Sequence, residues 1–382
     1  MGLNAGPDLG HGYMGAAAAA SAPSFFGDVV TPYWLLFAVW AIGAVQFARR
    51  ADRPRSNVLY VFAAALTALM IGLRFEVGGD WFTYMSMYEQ ISFQSVVDGV
   101  QISDPGYALL NWISGQLDWG MWLPNTACGV IFMAGIGRLA NQQPNPWLAV
   151  LVAVPYLIIV VAMGYTRQAA AIGVVCWALA DARPDRLMRL IVTLFIGALF
   201  HKTAILILPI VLVPVFRRNA LFGILGVGAF ALLFTVTLLS SSEKFVNVYA
   251  NSDYDSQGAA IRVAMNVVPA IIFFLLGKRM NFTPFLRSYW LMNSLLALVS
   301  VPLLLIVSAS SGVDRMALFL IPLQMVVYGQ LPYAMSRSNA PQTAVLFSVL
   351  GYSLAVQFVW LNYAVNAQLW IPYLTFFNQP TI

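Results

Sequence analysis

The residues able to do chemistry in this chain sit in short polar clusters, each interrupting a long apolar run. The first is Arg74-Phe75-Glu76-Val77-Gly78-Gly79-Asp80-Trp81-Phe82-Thr83-Tyr84, which sets a guanidinium beside two carboxylates. Its paired glycines free the backbone for close approach. The second is Gly164-Tyr165-Thr166-Arg167-Gln168, running into Ala169-Ala170-Ala171. The third is His201-Lys202, between two strongly apolar stretches, where polar side chains are costly unless they face protein or water. Asp314-Arg315 and Asp253-Tyr254-Asp255 are weaker additions. Arginine forks grip phosphate bidentately and stay charged, and a carboxylate or an imidazole serves as general base. Trp81, Tyr84, Trp370 and Tyr373 offer aromatic faces suited to sugar rings. Phosphate, sugar and membrane together point to a lipid-linked saccharide, although an organic-anion transporter would use the same parts. Each cluster also has a plainer reading. Arg74 and Arg167 would snorkel from helix ends, Trp81 and Tyr84 would form an interfacial belt, and His201 would satisfy a neighbour.

The elements that must position these groups are helices in a membrane. The 382 residues are 60% hydrophobic and only 9% charged, against about a quarter charged in soluble domains. A bilayer admits only helices or closed barrels, and apolar blocks without period-2 alternation exclude the barrel. The expected fold is all-α and polytopic, with spans near 30–48, 57–74, 121–138, 146–164, 166–182, 187–200, 202–216, 221–240, 262–278, 288–308, 314–332 and 342–364. A shorter amphipathic stretch, 105–118, opens with Asp104-Pro105, an N-cap followed by proline at the first helical position. Residues 1–28 read as a disordered leader, 29–376 as one integral-membrane domain and 377–382 as a short tail.

The net charge of +5 is no nucleic-acid footprint, because the 17 arginines and three lysines cluster between apolar blocks. They read as topology signals. Placing Arg49–Arg55 in the cytoplasm puts 14 basic residues inside and six outside, provided that 105–118 does not cross. That stretch is therefore expected to be re-entrant or interfacial. Residues 187–218 carry Arg189 at one end and Arg217-Arg218 at the other, so two short helices meeting at His201-Lys202 keep both ends inside. Residues 74–104 and 241–261 then become the long outer loops. Cys128 and Cys176 lie in apolar segments and form no disulfide or metal set, and His201 is the only histidine outside the leader. No metal or other cofactor is expected.

The stretch from Gly72-Leu73-Arg74 through Val77-Gly78, Asp80 and Tyr84 resembles the "G-L-R-x-x-V-G-x-D-x-x-x-Y" signature of the EpsG family, polytopic proteins of the Wzy type assigned to exopolysaccharide and O-antigen polymerisation. Asp104-Pro105-Gly106-Tyr107, Thr166-Arg167-Gln168 and Phe200-His201-Lys202-Thr203-Ala204 are similar to later family elements, in order, over about residues 57–375. Lys202 departs from the small or polar residue many relatives carry. The resemblance implies glycosyl transfer between polyprenyl-diphosphate-linked oligosaccharides at the outer face of the inner membrane. In that reading Arg74, Arg167 and Arg315 hold the departing diphosphate. Asp80 is the general base with His201 second, Glu76 orients Arg74, and Tyr84, Gln168 and Lys202 line the substrate. A flippase and a chain-length regulator are the implied partners. A flippase or transporter of lipid-linked saccharides, or a glycan ligase using the same donor, are the other functions open to the sequence.

Overall fold

The computed structural model describes residues 30–48, 58–214, 228, 259–306, 317–338 and 340–378. The leader, nearly all of the span expected at 221–240, Asp253, Asp255, Asp314 and Arg315 lie outside the described residues. Fourteen helices carry the described chain, as an all-α reading requires. In order they are α1 (Thr31–Gln46), α2 (Val58–Gly72), α3 (Trp81–Ser92), α4 (Val96–Ile102), α5 (Pro105–Gln116) and α6 (Trp122–Ala140). There follow α7 (Pro146–Ala162), α8 (Thr166–Ala180), α9 (Leu187–Phe200) and α10 (Lys202–Leu212). The last four are α11 (Ala259–Leu276), α12 (Pro284–Ile306), α13 (Leu318–Ala334) and α14 (Thr343–Tyr363).

By length and composition, Trp122–Ala140, Ile261–Arg279 and Thr343–Tyr363 are long and apolar enough to cross a membrane, and six further helices are apolar but shorter. Many large apolar side chains point outward, among them Leu35, Leu59, Phe62, Phe195, Leu275 and Phe347. Such a surface suits acyl chains rather than water.

The bundle is organised around α7. This helix is apolar on every side, and a helix without a polar face belongs in the interior; its residues from Trp147 onward are buried. Its second half winds as a π-helix over Val154–Ala162, starting where Pro155 removes a backbone donor. Around it stand α1, α6, α8, α13 and α14. Where α6 crosses α8, Gly135 lies directly against the Gly173 backbone, so neither position has room for a Cβ. Small residues at a helix crossing bring two backbones together in this way.

Three features bear on the clusters. The expected loop 74–104 contains α3 and α4 instead of open chain, and Ser95 caps α4 by accepting from the Asp98 amide at 3.3 Å. Helix α5 begins at Pro105 as expected, and its 12 residues span about 18 Å. That is too short to cross a hydrocarbon core of ~30 Å alone. Lastly, Arg74–Phe75 pair antiparallel with Leu374–Thr375, bringing the C-terminal end of the described chain to the end of α2. The Gly78 amide donates to the Leu369 carbonyl at 2.8 Å, the Phe376 amide to the Leu73 carbonyl at 2.9 Å, and the Tyr373 hydroxyl to the Met70 carbonyl at 2.7 Å.

Candidate functional site

The polar clusters converge through one connected junction. Arg74 leaves α2 and turns inward, with 1% of its surface exposed. Its Nε donates to the Val77 carbonyl at 3.1 Å, its Nη1 to the Ile71 carbonyl, and its Nη2 to Thr166 Oγ1 at 2.6 Å. The turn needed for this grip has Glu76 at φ 52° and Gly78 at φ 111°. A side chain at Gly78 would meet the Met163 carbonyl, so only glycine fits there. Two expectations fail at this point. Arg74 does not snorkel, and Glu76 does not orient it; Glu76 is exposed, and protein carbonyls and a threonine hold the guanidinium.

Arg167, next to Thr166, occupies the first turn of α8. Its Nη1 donates to Asp104 Oδ2 at 2.9 Å and to Ser103 Oγ at 3.2 Å. Its guanidinium lies 5.8 Å from the Tyr84 ring centroid. The Arg167 side chain keeps 21% of its surface exposed and Asp104 13%. Arg167 is therefore tethered on one edge and open on another, unlike Arg74. Asp104 also accepts, through Oδ1, the Lys202 backbone amide at 3.2 Å. One carboxylate thus ties the start of α5 to the start of α8 and to the break between α9 and α10. Burial raises the Asp104 carboxyl above the usual carboxylate range, while Arg167 and the Lys202 amide act against that shift.

The break at His201-Lys202 is where the sequence places it. His201 is half-buried, extended at φ −155°, and both ends α9 and opens α10. Its Nδ1 contacts Thr203 Oγ1 and accepts the Thr203 amide at 3.4 Å. With Nδ1 accepting, the neutral ring carries its proton on Nε2, so it presents a donor rather than a free lone pair there. The Lys202 side chain is exposed.

Asp80 is half-buried at the N-terminus of α3, and its carbonyl accepts the Tyr84 amide at 3.0 Å one turn later. Tyr84 itself is buried, with the Tyr107 ring 5.5 Å from it, edge-on. Burial pushes its phenol up to about 12, with Arg167 pulling it down, so it stays neutral. Gln168 is buried in the first turn of α8. Trp81 and Trp370 are buried as well, the Trp370 indole donating to the Ile159 carbonyl at 2.8 Å within the π-helical turn. With Tyr84, these side chains are packing groups rather than the open faces expected for sugar rings. Tyr373 is half-buried.

The junction therefore brings Arg74, Tyr84, Arg167 and the backbone of Lys202 into one network, flanked by Asp80 and His201. Arg315 lies outside the described residues. Sequence reasoning reads Asp104 as a cap and as part of a family element but gives it no place in the site; in the structure its side chain makes no cap bond and serves the junction instead. Ser103 is not singled out in the sequence, and Thr166 reads as part of its cluster without a role; both bond the arginines of the junction. Among the described residues no group of three or more His, Cys, Asp or Glu is placed to hold a metal ion.

A model of the EpsG family matches residues 57–375 of the chain. Comparison with curated proteins and with solved structures finds no match.

Proposed function

The chain belongs to the EpsG family, and from that premise we propose that it is a Wzy-like polymerase joining polyprenyl-diphosphate-linked oligosaccharide repeats. The reaction takes place at the extracytoplasmic face of the inner membrane, in a bundle of about twelve crossings with α5 as a re-entrant or interfacial helix. The observation that carries this reading is the Arg167–Asp104–Lys202 junction. It fixes one edge of an arginine fork and leaves another open beside an exposed lysine.

In the reaction, the bond between the anomeric carbon of the growing chain and its lipid diphosphate breaks. A glycosidic bond forms to a hydroxyl of the incoming repeat. Asp80 takes the proton of that hydroxyl, and the lipid diphosphate leaves as an anion. Arg167 and Lys202 meet the developing charge on the leaving group, joined by Arg315. Electrostatic stabilisation of this kind works when donors are held in place before charge develops, and Asp104 and Ser103 hold Arg167 that way. His201 donates from Nε2 to the substrate. Arg74 is a positioning residue, because its three bonds bind the turn at 75–78 to Thr166 and so to Arg167. Tyr84 and Gln168 support this wall from within. A flippase supplies the repeats, and a chain-length regulator sets product size.

The test is Arg167→Lys, read as polymer length in a complemented deletion strain. A lysine keeps the charge but is a single donor point and cannot span Asp104, Ser103 and a phosphate together. Loss of a transition-state donor costs about 2.7–4 kcal/mol, a hundredfold to a thousandfold in rate, so single repeat units should accumulate at normal membrane levels of the variant. Wild-type polymer from a normally expressed Arg167→Lys protein would remove Arg167 from the site.

A further inference from the structure

A second gathering of arginines lies where α6 and α8 end and α9 begins, and the proposed reaction does not use it. Arg138, in the last turn of α6, donates through Nη2 to Asp181 Oδ2 at 2.6 Å, and Arg189 of α9 approaches the same oxygen at 3.6 Å. The Arg138 guanidinium lies 4.4 Å from the Trp177 ring centroid. Arg186 is half-exposed and has only a loose pair with Asp185 at 3.9 Å. Trp177, Asp181, Arg186, Arg189, Leu190 and Thr193 line a shallow hollow between α8 and α9 that holds about one water and opens outward past the arginines.

The charges here do not balance. Arg138, Arg186 and Arg189 pair with two carboxylates, Asp181 and Asp185, which leaves one positive charge in excess, and the exposed Arg183 lies next to them in the chain. The helix ends here are mixed: α6 and α8 finish with partial negative charge, which suits Arg138, and α9 starts with partial positive charge. The first turn of α9 contains no acidic residue, and Arg186 caps it, so arginines crowd the end of a helix that already carries partial positive charge. A phosphate seated at the mouth of the hollow, against the exposed sides of Arg186 and Arg189, would answer both.

What lies beyond the hollow decides which phosphate. Trp177 is 39% exposed, and Val192, Phe195, Ile196 and Leu199 expose an apolar face along α9. Arg189, Thr193 and Ile196 follow one another at helical spacing from the hollow onto that face. A polar head and an apolar track in continuity match one amphiphile. Basic pockets between membrane helices take anionic headgroups for the same reason.

We propose that the mouth of this hollow, through the exposed guanidinium groups of Arg186 and Arg189, binds the phosphate of an anionic phospholipid, with an acyl chain lying over Trp177 and the outer face of α9. The proposal is independent of the polymerase reading, since none of these residues belongs to the junction at Arg167.

The test uses the full chain in nanodiscs of phosphatidylcholine, alone or with phosphatidylglycerol. Phosphatidylglycerol carrying brominated acyl chains should quench tryptophan emission more than brominated phosphatidylcholine does. The excess should disappear in Trp177→Phe. In Arg186→Gln/Arg189→Gln, the phosphatidylglycerol fraction needed for half-maximal quenching should rise about tenfold. Arg186→Gln alone guards against misfolding, because this exposed side chain can be changed without disturbing the interior, and it should give a smaller shift in the same direction. Equal quenching by the two lipids would overturn the proposal. So would suppression of the excess by millimolar inorganic phosphate, which would make the hollow a site for free anion.

Discussion

Arginine does opposite work at the two ends of this molecule. At the junction, Arg74 is enclosed and its donors end on fixed protein acceptors, while Arg167 is tethered on one side only. At the far end, Arg138 and Arg189 share one carboxylate and remain between a third and just over half exposed. A buried guanidinium must be satisfied by protein because no water reaches it. It therefore becomes part of the scaffold, and its position is set by the fold. An exposed one keeps donors free and stays available to ligands. Burial, more than charge, separates the arginines that shape this protein from those left open to a ligand.

The largest effect that would test this contrast is Arg74→Ala. It strands two carbonyls and the Thr166 hydroxyl in the interior, at about 1–3 kcal/mol for each unmet group. The detergent-solubilised protein should lose at least about 3 kcal/mol of stability, a large share of a typical total, seen as a lowered unfolding midpoint and poor membrane accumulation. Wild-type stability in Arg74→Ala would mean that the residue is not scaffold.

Asp104→Asn comes next. It keeps the shape of the side chain but turns one of two acceptors, facing Arg167 and the Lys202 amide, into a donor, with an expected cost of about 1–3 kcal/mol and a loss of polymer. Stability and activity should depend on pH in opposite directions. Folding raises the Asp104 pKa, so its stabilising contribution is full below the ordinary carboxylate pKa and is lost as pH rises through the folded value. Activity should run the other way, falling as acid protonates Asp104 and releases Arg167, at a higher pH than an ordinary carboxylate would cause. The acid limb of the rate profile should disappear in Asp104→Asn, and an unchanged limb would assign it to another group.

The smallest effect belongs to the far end. Asp181→Asn removes a carboxylate shared by partly exposed arginines, and pairs of that kind contribute within about 1 kcal/mol. The unfolding midpoint should hardly move. A drop as large as that of Arg74→Ala would erase the distinction between the ends.

The sequence made some of this legible and hid the rest for physical reasons. Helix positions followed apolar runs closely: the stretch read as 146–164 is Pro146–Ala162, and 187–200 is Leu187–Phe200. The break at His201-Lys202 could be read because basic residues at both ends required a hairpin. Helices α3 and α4 were hidden because 74–104 has no apolar run, and short helices there depend on capping and on packing against α5. The site was legible as a set of clusters but not as a set of contacts. Nothing near Asp104 announces that its partner lies 63 residues away, and Asp before Pro reads as a cap on local grounds. Nor could spacing show that Trp81, Tyr84 and Trp370 turn inward, because an aromatic residue beside a glycine-rich turn suits a belt, a sugar platform or a core equally well.

The small pairing of Arg74–Phe75 with Leu374–Thr375 sets an order of events in biosynthesis. The turn that seats Arg74 is closed by partners such as Leu369, Tyr373 and Phe376, and the Tyr373 to Met70 bond spans 303 residues. A ribosome adding 5–20 residues per second needs roughly 15–60 s to make that interval. Throughout that time α2 is already made, but the wall that fixes its outer end is not. The bonds of the junction itself all lie within residues 71–202, so a nascent chain stalled before residue 369 holds every one of those residues without the backing that fixes the Arg74 turn.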